Sequence, residues 1–296
     1  MLVSLKEVMA YAKEHGNAIG AFNCCNYESV CAVVTAAEEV NLPVIISYAE
    51  VHKDIISISD IAPIMLHFAR KAIVPVCVHF DHGESLESCV EAMKEGFTSV
   101  MIDASASGYE DNVKVTKQVV SIAHNMGITV EAELGHIFTS DMGVGKKKTY
   151  DEIESAEDFE NVDDVYTNPE VAKKFVEETG VDVLAIAFGT SHGVYIKKPV
   201  LDLDRITEIK NKIDIPFVMH GGSGLSEDEY KQAIKNGVKK INYYTYMALA
   251  GGKAVREMIV EKGDNNNVFF HEIPLCAINS MKENVKEVMK IFALSK

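Results

Sequence analysis

The feature that most constrains this chain is a repeated beat: a short apolar run, a turn, then a stretch with helical spacing. Eight runs qualify as strands, at Ala18–Asn23, Pro43–Tyr48, Pro75–Phe80, Ser99–Asp103, Ile128–Leu134, Val183–Phe188, Pro216–His220 and Lys240–Tyr244. Their apolar residues are mostly continuous rather than alternating, as strands covered on both faces require. The segments between supply the cover. Tyr27–Val40 spaces apolar residues three and four apart, the stretch after Ser85 stops on Gly96, and another opens with Asn168 as cap and Pro169 in the first turn. Eight strand–helix units in 296 residues predict an α/β chain folded as a (β/α)8 TIM barrel. A doubly wound sheet would show fewer strands and a glycine-rich first turn, and "GAFNCCN" has no such turn.

On this reading residues 1–296 form a single barrel domain, with an extra helix before the first strand and another, Ser280–Ala293, after the last. The segment 136–167 breaks the beat: it is rich in charge and poor in periodic apolar positions. Connections that long are usually functional, and its place after the fifth strand predicts a lid over the mouth.

Composition then narrows the function. A formal charge of −15 argues against binding nucleic acid, while leaving room for a small pocket that holds one phosphate. The six cysteines follow neither zinc-ribbon nor secreted-framework spacing and read as buried thiols in a reducing compartment. The start of the chain lacks a signal peptide's apolar core, and no apolar segment reaches membrane-spanning length, so the expectation is a cytoplasmic protein without a membrane partner.

In a parallel barrel all strand C-terminal ends meet at one mouth, so polar residues there become neighbours. Those ends supply Asp81 and His82, Asp103, Glu131 and Glu133, Ser191 and His192, His220, and Asn242 with Thr245. One such histidine alone reads as a residue satisfied by hydrogen bonds. Three at separate ends, each followed by glycine, read jointly as a catalytic divalent-metal site with neutral ligands. His79, inside the third strand, reads as a buried hydrogen-bonding residue that orients Asp81 or a ligand. The turns "FGTSHG" and "MHGGSG" also suit a phosphate, bound on exposed backbone N–H groups around Gly193, Gly221, Gly222, Ser223, Asn242 and Thr245.

Taken in order, "HFDHG", "MIDAS", "EAELG", "FGTSHGVY", "MHGGSG" and "KINYYT" resemble the class II, metal-dependent ketose-bisphosphate aldolases over nearly the whole chain, with the tagatose-type branch the more similar. The resemblance implies reversible cleavage of a phosphorylated ketose, of the fructose or tagatose 1,6-bisphosphate type, to dihydroxyacetone phosphate and an aldehyde. It implies Zn2+ on His82, His192 and His220, with Asp103 and Glu133 as alternate or second-site ligands and Asp81 as the acid/base at the C4 hydroxyl. It also implies the phosphate cradle just given, Asn23 near the substrate hydroxyls, a Na+ or K+ ion beside the phosphate, and a homodimer or homotetramer.

Three departures bear on the substrate. Ala49, followed by Glu50 and His52, stands where the family commonly has a serine that helps hold the distal phosphate. The lid lacks a "GGEED"-like run, leaving Asp141 or a later carboxylate as its acid/base. A tyrosine of the Tyr243–Tyr246 stretch replaces an aspartate often found there. These keep open another phosphorylated ketose or keto-acid as substrate, or an impaired relative with a regulatory role. A lysine-dependent aldolase is disfavoured because Lys239 and Lys240 begin the eighth strand, on the side away from the mouth.

Overall fold

All eight expected strands form, with ends shifted by at most three residues. They are, with the short extra strands numbered in chain order, β2 (Ile19–Asn23), β3 (Val44–Ala49), β4 (Val76–Gly83), β5 (Ser99–Ile102), β6 (Thr129–Leu134), β8 (Val183–Ile186), β10 (Phe217–Met219) and β11 (Val238–Tyr243). This computed structural model describes residues 1–139, 165–195, 199–263 and 267–295. Every neighbouring pair is parallel, from β2–β3 round to β10–β11, and β11 pairs back onto β2 with Ile241 beside Gly20, which closes the barrel.

The helices α2 (Tyr27–Val40), α3 (Ile58–Lys71), α4 (Leu86–Glu95), α5 (Tyr109–Asn125), α6 (Pro169–Thr179), α7 (Leu203–Lys210) and α8 (Glu227–Asn236) follow their strands. Their starts are set locally. Asn26, Ser85 and Ser226 each close a capping box, and Asn168 accepts from the N–H groups of Glu170 and Val171.

Two elements exceed the expectation. β1 (Leu2–Val3) pairs with the start of β4, below the point where β5 joins it. After β11 the chain makes two helices rather than one, α9 (Thr245–Lys262) and α10 (Glu272–Phe292). It is α10 that packs against α2, α8 and β2 and completes the helical ring. Among the described residues no helix is long and apolar enough to cross a membrane.

Helix α1 (Leu5–His15) plugs the closed end. Its Leu5, Val8, Met9 and Ala12 pack onto Ile19, Ala21, Ile45, Cys77, Val183, Ala185 and Val218 from the strands. All six cysteines are free thiols, but only Cys24, Cys77 and Cys89 are buried; Cys25, Cys31 and Cys276 are half-buried, which corrects the expectation for those three.

Candidate active site

Above the apolar plug the inward positions of the same strands turn polar. Asp81 and His82 are consecutive, so in a regular strand they would face opposite sides of the sheet. The pairing of β4 with β5 slips between Phe80 and Gly83, and His82 takes a left-handed backbone with φ 49°. A bulge of this kind re-aims a side chain, and here it brings both residues inward. Gly83 is required beside it, because a Cβ there would lie 2.6 Å from the Met101 carbonyl oxygen.

The three histidines converge. Ring centroids are 4.5 Å apart for His82 and His220, 5.1 Å for His82 and His192, and 5.8 Å for His192 and His220. One nitrogen from each lies within 4.8 Å of the others. Carboxylates fix the outer nitrogens of two of them: His82 Nδ1 lies 2.7 Å from Asp103, and His220 Nε2 lies 2.9 Å from Glu131. That leaves His82 Nε2 and His220 Nδ1 facing each other at 2.8 Å. Zinc–imidazole bonds of about 2 Å place ligand nitrogens only slightly farther apart, so this donor set fits a divalent ion after small ring rotations.

Two further clusters have metal-like spacing, and they differ in kind. His82, Asp103 and Glu133 share the convergence point. Burial, then the neighbouring Asp103, pushes the Glu133 carboxyl well above the usual range, and a cation bound there is what would ionise it. His79, Asp81 and Glu131 form the other cluster, and it already contains a cation. Lys240 Nζ lies 2.8 Å from Glu131 Oε2, 3.5 Å from His79 Nε2 and 4.0 Å from Asp81 Oδ1. This corrects the sequence reading: Lys240 starts low on β11, but its side chain is fully buried inside the barrel and reaches up beneath the histidines.

Asp81 is buried and anchored by Asn23 Nδ2 at 2.9 Å and Asn242 Nδ2 at 3.1 Å. Burial alone would raise its carboxyl. The charges of His82, Lys240 and His220, with a hydrogen bond from His79, outweigh that and hold it well below the usual range. Glu131 behaves alike: Lys240, then His220, overcome burial and bring it down to about 2. His79 is lowered by burial and by Lys240, and Ser99 Oγ sits 3.0 Å from its Nδ1.

On the other side of the mouth, Gly221 has φ +61°, and a Cβ there would lie 2.4 Å from the Ser191 carbonyl oxygen. Tyr195 bridges the same two turns, accepting from the Ser191 N–H and donating to the Gly221 carbonyl at 2.7 Å. The Gly222 N–H is committed to Asn242 O, and Ser223 Oγ accepts from the Tyr244 N–H at 3.1 Å. The N-terminus of α9, at Thr245, has no side-chain cap. Gly193 (φ 95°) follows β9 (Ser191–His192), whose partner is β7 (Phe138–Thr139). Sequence reading missed this small sheet because two-residue strands carry no periodicity.

Next to Asp81 the wall changes character. Ala49 pairs with Asp81 in the β3–β4 register, and a 3-10 turn, Glu50–His52, follows it. His52 is buried, its ring centroid 5.0 Å from that of Tyr244, and Cys25 Sγ lies 3.9 Å from the Tyr244 hydroxyl. The expected lid is described only at its two ends, where the His136 N–H donates to Val165 O at 2.8 Å. Asp141 and the rest of that call lie outside the described residues.

Residues 3–296 match the family described as fructose-bisphosphate aldolase class-II. The chain is 38% identical to the Escherichia coli K12 protein YdjI over 275 residues, covering 93% of this chain and 91% of that one. It is 37% identical to a fructose-bisphosphate aldolase of Staphylococcus epidermidis over 294 residues, 98% and 95% of the two chains. The solved structure of the YdjI aldolase superposes with a TM-score of 0.83 at 35% identity, covering 99% of this chain and 97% of that one.

Proposed function

Because the chain belongs to the class-II fructose-bisphosphate aldolase family, we propose that it reversibly cleaves a phosphorylated ketose to dihydroxyacetone phosphate and an aldehyde. The observation that carries this reading is the convergence of His82, His192 and His220 beside a buried, doubly anchored Asp81. Aldolases of this class are zinc-dependent in general, and the three imidazoles are the residues that would hold the ion, with Asp103 and Glu133 at the same point. When bound, the ion supplies the positive charge that makes the negative charge left by C–C cleavage tolerable.

Everything else falls to the chain's own groups. The Asp81 carboxylate, buried beside the converging histidines, is the base that takes the C4 hydroxyl proton as the bond breaks; such steps are typically worth ~10²–10⁴ in rate. Asn23 and Asn242 keep its carboxylate from rotating away from that proton. The phosphate of the dihydroxyacetone half lies against Gly193, Gly221, Gly222 and Ser223 and the uncapped start of α9 near Asn242 and Thr245, where the helix dipole favours an anion.

Fructose and tagatose 1,6-bisphosphate are the first substrates to test. The wall of Ala49, His52, Cys25 and Tyr244 favours a second reading, in which the far end of the substrate is another phosphorylated ketose or keto-acid. A screen of phosphorylated ketoses and keto-acids for dihydroxyacetone phosphate release, with zinc and with chelator, separates the readings. Activity that survives chelation and is trapped by borohydride would replace the metal mechanism with a lysine one. No release from any candidate by the zinc-loaded protein would end the proposal.

A further inference from the structure

Lys240 is the largest piece of polar chemistry the reaction above leaves unused. Its ammonium is sealed from solvent, and a buried ion persists only where partners replace its water. The partners are specific: both Glu131 oxygens at 3.0 and 2.8 Å, with His79 Nε2 at 3.5 Å and Asp81 Oδ1 at 4.0 Å behind them. Glu131 Oε1 in turn holds His220 Nε2, and His220 Nδ1 is the nitrogen that faces His82. A continuous line of polar contacts therefore runs from the ammonium through one carboxylate to one imidazole.

We propose that Lys240 is a positioning residue for the metal: it clamps Glu131 in the rotamer that aims His220 Nδ1 at the convergence point, so zinc affinity depends on a lysine that does not ligate the ion. The inference rests on the three-histidine reading of the site. Its physical basis is that groups which orient a metal-bound imidazole typically change affinity 10–100-fold when lost. A carboxylate on three rotatable bonds in the middle of a barrel needs a second anchor to do that, and among the described residues the ammonium that meets Glu131 is that of Lys240. The rival role is bulk charge compensation, in which Lys240 keeps a buried carboxylate tolerable and has no effect on His220.

The two roles part in a cycle of four proteins: wild type, Lys240→Met, Glu131→Gln and the double variant. Zinc dissociation constants are measured by competition with a chromophoric chelator, alongside melting temperature. Positioning predicts a 10–100-fold weaker zinc affinity for Lys240→Met and no further loss when Lys240→Met is added to Glu131→Gln. Charge compensation predicts a lower melting temperature with zinc affinity unmoved, which overturns the proposal. Should Lys240→Met alone fail to fold, the comparison of Glu131→Gln with the double variant still decides: equal affinities support the clamp, and an added loss refutes it. A wild-type chain that binds no zinc at all would defeat the functional reading instead.

Discussion

At the closed end of the barrel Ile19, Ala21, Ile45, Cys77, Val183, Ala185 and Val218 meet the apolar face of α1. Higher in the barrel stand Asn23, His79, Asp81, Glu131, His220 and Asn242, with the Lys240 side chain rising among them, most of them equally buried. The lower layer contributes free energy because its atoms leave water and need nothing in return. The upper layer loses hydration and recovers it only through a network in which nearly every charge has a named partner. One set of strands thus carries stability at one end and chemistry at the other, and each end should fail in its own way.

The sharpest break of that division is His220→Ala. It removes one of the three converging imidazoles and leaves Glu131 without its ring partner. Zinc content and retro-aldol activity should both fall to background, which metal analysis and dihydroxyacetone phosphate release would measure together. Retained zinc at wild-type stoichiometry would contradict the three-histidine site.

Asp81→Ala should separate the metal from the chemistry. Zinc should stay bound while kcat drops ~10²–10⁴-fold, the usual worth of a general acid–base group. Near-normal turnover would take Asp81 out of that role.

The lower layer should show the opposite pattern. Leu5 is fully buried in the plug, and Leu5→Ala should cost ~2–5 kcal/mol of stability, read by chemical denaturation. Its activity per folded molecule should match the wild type, because Leu5 belongs to the apolar cluster of Ile19, Ala21, Ile45, Cys77, Val183, Ala185 and Val218. A large change in kcat at full folding would show that the two ends are coupled.

The division also explains what the sequence revealed. The eight strands were legible because both-face burial writes continuous apolar runs, and α2 and α6 were legible from spacing and caps. Asp81 and the three histidines stood out because polar residues at strand ends interrupt that pattern. Lys240 was misplaced for a geometric reason: its Cα sits beside Ile19 near the closed end, yet its long side chain climbs to Glu131. A strand position fixes a Cα level, and for lysine the charge can lie several ångströms above it. Glu131 could be seen as a strand-end carboxylate, but nothing in one sequence pairs it with His220, since 89 residues separate them. The second helix after β11 was hidden because α9 buries only Met247 and Gly251 and so writes almost no apolar periodicity.

The smallest effect belongs outside the barrel, where α10 is tied to α2. Glu39 lies 2.8 Å from Lys282 and 2.7 Å from Lys286, and these two hydrogen bonds bring its carboxyl from 4.5 down to about 2. A carboxyl lowered by folding adds stability that is fully present above its unfolded value and lost as pH falls through its folded one. The contribution of Glu39 should therefore be whole above about pH 4.5 and fade toward pH 2. The cluster is solvent-exposed, so the effect is small and screened by salt. Melting temperatures of the wild type and Glu39→Gln should differ most at neutral pH in low salt, with the wild type higher. The gap should narrow on acidification and again on adding salt at neutral pH. A gap that ignores both would mean that α10 is held by its apolar contacts alone, which would extend the logic of the lower layer to the outer ring.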